Sequence, residues 1–134
     1  MVYKIPEESY MAYSSAMRKL KRESPTPKVS EADVLNAVLQ YLFINKIPVW
    51  RQNSGALENK YGRLVRFGKK DSADITGICP KTGRRLEIEC KAPGKTLREG
   101  QRQFLDMINR CYGIGICVHS VDELINELKE AGVL

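Results

Sequence analysis

Between Arg84 and Ala92 the chain reads RRLEIECKA, an alternation of apolar and charged residues with the two-residue period of a β-strand. Leu86, Ile88 and Cys90 then face one way, and Glu87, Glu89 and Lys91 face the other within about 13 Å, at a rise of roughly 3.3 Å per residue. The run before it, ADITGIC, reads as a second strand, and PKTG between them is a turn signal, so the two runs form a hairpin. Any fold open to this chain must set the apolar face of that hairpin on a core. The opposite face, with two carboxylates and an ammonium, is either a solvated outer surface or a functional row.

The rest of the chain supplies helices to cover a sheet. Residues 1–28 read as an N-terminal extension, in which ESYMAYSSAMRKLKRE suits a helix with a basic end and SPTPK breaks it. Residues 29–134 read as the main domain. Ser30 and Asp33 predict a helix cap ahead of Val34, Leu35, Val38, Leu39 and Leu42, with the helix ending near Asn45. IPVWRQN reads as a short strand, SGALENKYGR as a turn or loop, and RLVRF as a strand closed by Gly68. Thr96 and Glu99 suggest a capping box for a helix whose apolar positions are Phe104, Leu105, Ile108 and Tyr112. IGICVHS reads as a buried strand, and Ser120 with Glu123 caps a last helix. This order predicts an α/β fold, a mixed central β-sheet flanked by helices with a crossover helix before the last strand.

Composition narrows the partners. With 134 residues, 43% of them hydrophobic, the chain suits a single domain with a proper core. The formal charge of +6 points to a polyanion, although many basic proteins bind none. The N-terminus lacks the apolar core of a signal peptide, and no apolar run approaches the roughly 20 residues of a membrane span, so the expectation is a soluble cytoplasmic protein without membrane contact. Cys79, Cys90, Cys111 and Cys117 contain no C-x-x-C pair and read as thiols in a reducing compartment.

The hairpin brings Asp74, at the start of one strand, beside Glu89 and Lys91 on the other. Two carboxylates and the main-chain carbonyl of Cys90 are the hard oxygen ligands that Mg²⁺ or Mn²⁺ accepts while keeping several waters. Lys91 would orient a nucleophile or stabilise a scissile phosphate. Because Lys91 runs into the breaker APGK, the charged row ends at a loop, where sites tend to lie.

Asp74, fourteen intervening residues, then Glu89-Cys90-Lys91 resembles the D…E-x-K core of the PD-(D/E)XK nuclease superfamily. With RQNSG at 51–55, RLVRFGKKDSADITGI at 63–78, EIECKAPG at 87–94, LREGQRQFLDMI at 97–108 and GIGICVHSVDELINEL, the order of motifs resembles the VRR-NUC nuclease family from about Ser30 onward. Ala73 stands where the superfamily name implies proline, which supplies no ligand. The resemblance implies a restriction-endonuclease-like core, Asp74 and Glu89 as metal ligands, Lys91 as catalytic lysine, and Gln101 presented to the site by the following helix. It also matches Glu31 to a glutamate early in the first helix, where the alternative role is a favourable charge at a helix N-terminus. Glu87 is ambiguous between the site and an ion pair with Arg84, Arg85 or a neighbouring strand.

Arg51, Asn53 and Ser54 suit phosphate contacts, with an ordinary turn as the alternative. Lys60, Arg63, Arg66, Lys69 and Lys70 are expected to track a backbone, or else form a solvated face. His119 reads as structural, and Trp50 as core rather than a stacking platform; Tyr61 is a second residue suited to stacking. The resemblance implies a metal-dependent endodeoxyribonuclease of a phage or its bacterial host, acting in replication, recombination or repair. It would select branched or junction DNA by shape and work as a homodimer. The alternative is a non-catalytic basic module that binds nucleic acid. The apolar residues Leu39, Leu42, Ile125 and Leu128 are divided between core packing and that dimer surface.

Overall fold

The computed structural model describes residues 7–23 and 27–134. Helix α1, Glu7–Glu23, is the one expected in the extension, while the break expected at SPTPK lies partly outside the described residues. Helix α2, Glu31–Ile44, starts where the capping residues require: Ser30 Oγ accepts from the Asp33 N–H at 3.1 Å, and Asp33 Oδ2 accepts from the Ser30 N–H at 2.8 Å. Its buried residues Val34, Leu35, Val38 and Leu42 recur at helical spacing on one face.

Four strands make the central sheet: β1 (Val49–Arg51), β4 (Ile75–Ile78), β5 (Arg85–Cys90) and β6 (Ile114–Val118), in the order β1-β4-β5-β6. β1, β4 and β5 pair antiparallel and β5 with β6 parallel, so the sheet is mixed. The β4–β5 hairpin forms as expected, and its register, Thr76 opposite Glu87 and Ile75 opposite Ile88, brings Asp74 level with Glu89. A parallel step needs a crossover, and helix α3, Glu99–Arg110, makes it between β5 and β6. Helix α4, Val121–Glu130, follows a Ser120 cap whose Oγ accepts from the Glu123 N–H at 3.1 Å.

Two expectations are corrected here. The stretch beginning SGAL is not wholly loop, because Gly55–Glu58 forms β2 and pairs antiparallel with β3, Leu64–Phe67. GALE carries no β-branched residue, and its extended form comes from the partner strand rather than its own propensity. The α3 cap lies at Arg98, not Thr96. The Arg98 N–H donates to Gln101 Oε1 at 3.0 Å, so the helix starts two residues later than expected with only the reciprocal half of a box, and Tyr112 falls beyond the helix, exposed and with φ of 64°.

Helices α2 and α4 cover one face of the sheet, and α3 covers the β5–β6 half of the other. Leu86, Ile88 and Cys90 pack with Ile114, Ile116 and Val118 against α2 and α4, whose Leu42, Leu124 and Leu128 are buried with them. Leu42 and Leu128 are therefore core, and Leu39 and Ile125 are half-buried, so these four do not make the free surface considered for a dimer. On the opposite face α3 packs Phe104, Leu105 and Ile108 with Ala73, Leu97 and Cys117. The helix comes so close that a Cβ at Gly115 would lie 2.8 Å from the Leu105 carbonyl. Glu87 and Glu89, 0% and 2% exposed, consequently lie under cover and not on a solvated surface. Leu86→Ala should destabilise the domain by about 2–5 kcal/mol in urea unfolding. A loss below about 1 kcal/mol would contradict a rigid core beneath β5.

Candidate metal centre

The carboxylates of Glu31, Asp74 and Glu89 each bring an oxygen within 4.8 Å of the other two. Three segments converge to do so: the first turn of α2, the residue just ahead of β4 and the end of β5. Asp74 Oδ2 accepts from the Cys90 main-chain N–H at 2.9 Å, and its own carbonyl accepts from the Gln52 N–H at 2.8 Å, which fixes the aspartate between β1 and β5. Gln101 uses both ends of its amide. Its oxygen caps α3 at Arg98 and its nitrogen donates to Glu89 Oε1 at 2.9 Å, so helix start and site carboxylate are set by one buried side chain. Lys91, whose side chain is only 13% exposed, places Nζ 4.0 Å from Glu31 Oε1.

Burial pushes the Glu89 carboxyl up to about 8, with the Asp74 charge adding to the shift and Lys91 opposing it. Once Glu89 gives up its proton, three carboxylates face one ammonium in a partly dry site, a surplus of negative charge that a divalent cation would offset. The donor set is hard oxygen, suited to Mg²⁺, Mn²⁺ or Ca²⁺ rather than to a soft metal. Thiols do not compete. Burial pushes Cys90 above the ordinary thiol range and Cys117 to about 11, so both stay protonated at neutral pH. Among the described residues no other trio of His, Cys, Asp or Glu gathers as closely.

The remaining residues singled out in the sequence divide. Glu87 stands apart from the cluster: its Oε1 accepts from Thr76 Oγ1 and from Arg85 Nε, each at 2.6 Å. His119 is also outside it, bridging the Lys95 carbonyl at 2.6 Å and Glu123 at 2.9 Å; with oxygen acceptors at both ring nitrogens, its pKa is raised. Ser54 and Lys70 line a cavity of about 300 Å³ with Arg66, Phe67 and Arg98. Lys69 and Lys70 line another of about 340 Å³ with Arg110. Arg51 and Asn53 are exposed but line neither. Trp50 is 53% exposed, which corrects its reading as core: on the edge strand β1 its face of the sheet is left open. Arg98 and Arg110 are the cations that sequence reasoning missed. A cation at a helix N-terminus opposes the macrodipole, which was a signal in the sequence; here Asp71 offsets it at 3.6 Å.

No protein-family model, curated protein or solved structure matches this chain. Fold and site define it as a mixed α/β domain with three carboxylates and a lysine gathered at the end of a sheet hairpin.

A cation taking all three carboxylates must displace the Glu89 proton. Mn²⁺ affinity by calorimetry should therefore rise about tenfold per pH unit from about pH 6 until it levels near 8, and a flat profile would contradict the coupling. Because the folded pKa lies above the ordinary 4.5, Glu89 withdraws stability as pH rises from there through about 8. Metal-free Glu89→Gln should melt higher than the unsubstituted chain at pH 8.5 and lose its stabilisation by Mn²⁺.

Proposed function

We propose that this chain is a divalent-metal-dependent nuclease of the PD-(D/E)XK type, similar to VRR-NUC domains, hydrolysing phosphodiester bonds in branched or junction DNA. The observation that carries the reading is the meeting of Glu31, Asp74 and Glu89 beside Lys91, in a chain that also has two basic cavities joined at Lys70 and Asp71. Mg²⁺ or Mn²⁺, held by Asp74, Glu89 and the Cys90 carbonyl with Glu31 closing the set, would lower the pKa of a water and offset charge developing on the phosphate.

The chain's own residues supply the rest. Arg66, Lys70 and Arg98 line one cavity and Lys69, Lys70 and Arg110 the other, a continuous set of cations suited to tracking a DNA backbone. Gln101 keeps Glu89 from rotating away from the site. Lys91 emerges from β5 into the loop and stands where its ammonium can hold the attacking water or a non-bridging phosphate oxygen. Water adds to phosphorus and gives up one proton to solvent, the bond to one sugar oxygen breaks, and that oxygen leaves with a proton taken from solvent.

Asp74→Asn and Lys91→Ala should each lower cleavage of a four-way junction by about a hundredfold or more while DNA binding persists. Wild-type cutting by either variant, or cutting undiminished in EDTA, would sink the assignment. Binding without cutting in every metal would instead favour the non-catalytic module.

Symmetric resolution of a junction needs two sites, and we propose that a two-fold homodimer supplies them. The β2–β3 hairpin is exposed along its length, with Leu57, Val65 and Phe67 on one face, and a two-stranded hairpin is marginal unless packed. Light scattering should give about twice the 15.2 kDa chain mass, and Val65→Lys should return one chain mass. A monomer at micromolar concentration would contradict the dimer.

A further inference from the structure

The face of the sheet that carries Asp74 and Glu89 continues past them into a second, differently built concavity. Strand register puts Trp50, Thr76 and Glu87 in one row across β1, β4 and β5, and alternation puts Gln52, Ile78 and Arg85 on the same face. Trp50, Gln52, Thr76, Ile78 and Arg85 line a cavity of about 300 Å³ there, and no acidic residue lines it. Glu87 lies beneath, 0% exposed, with Oε1 holding the Thr76 hydroxyl and the Arg85 Nε and with Oε2 buried without a partner. Burying a carboxylate costs several kcal/mol unless it is well paired. Here it fixes one guanidinium and one hydroxyl at the rim of a cavity whose wall is a half-exposed indole.

We propose that this cavity is a nucleobase subsite, which takes one unpaired base of the DNA strand whose backbone passes the carboxylate cluster. The inference rests on the nucleic-acid reading above and adds where a base sits. An exposed indole offers a π-face that any base can stack on. Gln52 and Thr76 can meet a base edge, and Arg85, its Nε occupied by Glu87, presents its Nη edge as a donor and a positive charge toward a polyanion. Thr76 is two residues from Asp74 on β4, roughly 6.6 Å along the strand, so the base lies within about two nucleotide steps of the cluster. A base can enter only when it is unstacked, as at a branch, flap or junction centre. The subsite would thus give the centre a preference for DNA with unpaired nucleotides.

Trp50 is the single tryptophan of the chain, so its emission reports the subsite directly. The full chain is titrated at low salt in EDTA with a short single-stranded thymidine oligomer and with an abasic oligomer of equal length. Binding is followed by anisotropy of labelled copies and Trp50 emission with unlabelled ones. The thymidine oligomer should quench the emission and bind about tenfold more tightly than the abasic one, and Trp50→Ala should remove that difference while Trp50→Phe keeps most of it. Equal binding of the two oligomers, or binding without quenching, would overturn the subsite and leave the phosphate-tracking cavities in place. A halved mass for Trp50→Ala in light scattering would assign the cavity to subunit packing and also overturn it. Failure of both oligomers to bind would overturn the nucleic-acid reading itself along with the subsite.

Discussion

Glu89 is a carboxylate taken almost completely out of water, and the arrangement of the domain around it follows from that cost. One of its oxygens is held by Gln101, which can reach it only because α3 lies flat on the sheet. The helix lies flat because Gly115 has no side chain and because Phe104, Leu105 and Ile108 bury against Ala73 and Cys117. The same amide caps α3 through the Arg98 N–H. Loss of the Gln101 contact would leave a buried acid and an uncapped helix at once.

Charge is distributed around that acid with the same economy. Asp74 and Glu31 approach it from separate elements, and Lys91 reaches Glu31 from the strand end that carries Glu89. The loop leaving Lys91 turns at Ala92 and Lys95 and is tied to α4 through His119 and Glu123. Lysine, loop and last helix are therefore one connected unit, and His119 contributes order rather than a ligand. Farther along the same sheet face Glu87 repeats the pattern, a buried carboxylate spent on fixing Thr76 and Arg85.

Much of this is legible in the residues because local rules decide it. Ser30 with Asp33 and Ser120 with Glu123 announce helix starts through contacts three residues apart, and PKTG announces the β4–β5 turn. Asp74 and Glu89 come together as the hairpin predicts, and Gln101 and Glu31 join them where the resemblance placed them. What failed depended on neighbours distant in sequence. A charged alternating face reads alike whether water or a helix covers it, so the burial of Glu87 was invisible until α3 lay over the sheet. β2 exists because β3 pairs with it, and Trp50 is exposed because β1 is an edge strand. Thr96 offered a good cap residue, but the reach of Gln101 toward Glu89 sets the helix start at Arg98.

The proposed nuclease chemistry needs a divalent cation where three elements bring Glu31, Asp74 and Glu89 together. An anomalous difference map from crystals grown above pH 8 with Mn²⁺ tests it most directly. It should show one peak among the three carboxylates, with oxygens at about 2.0–2.3 Å and waters completing an octahedron. No peak there, or occupancy only at surface acids with the cluster oxygens still in contact with one another, would contradict it.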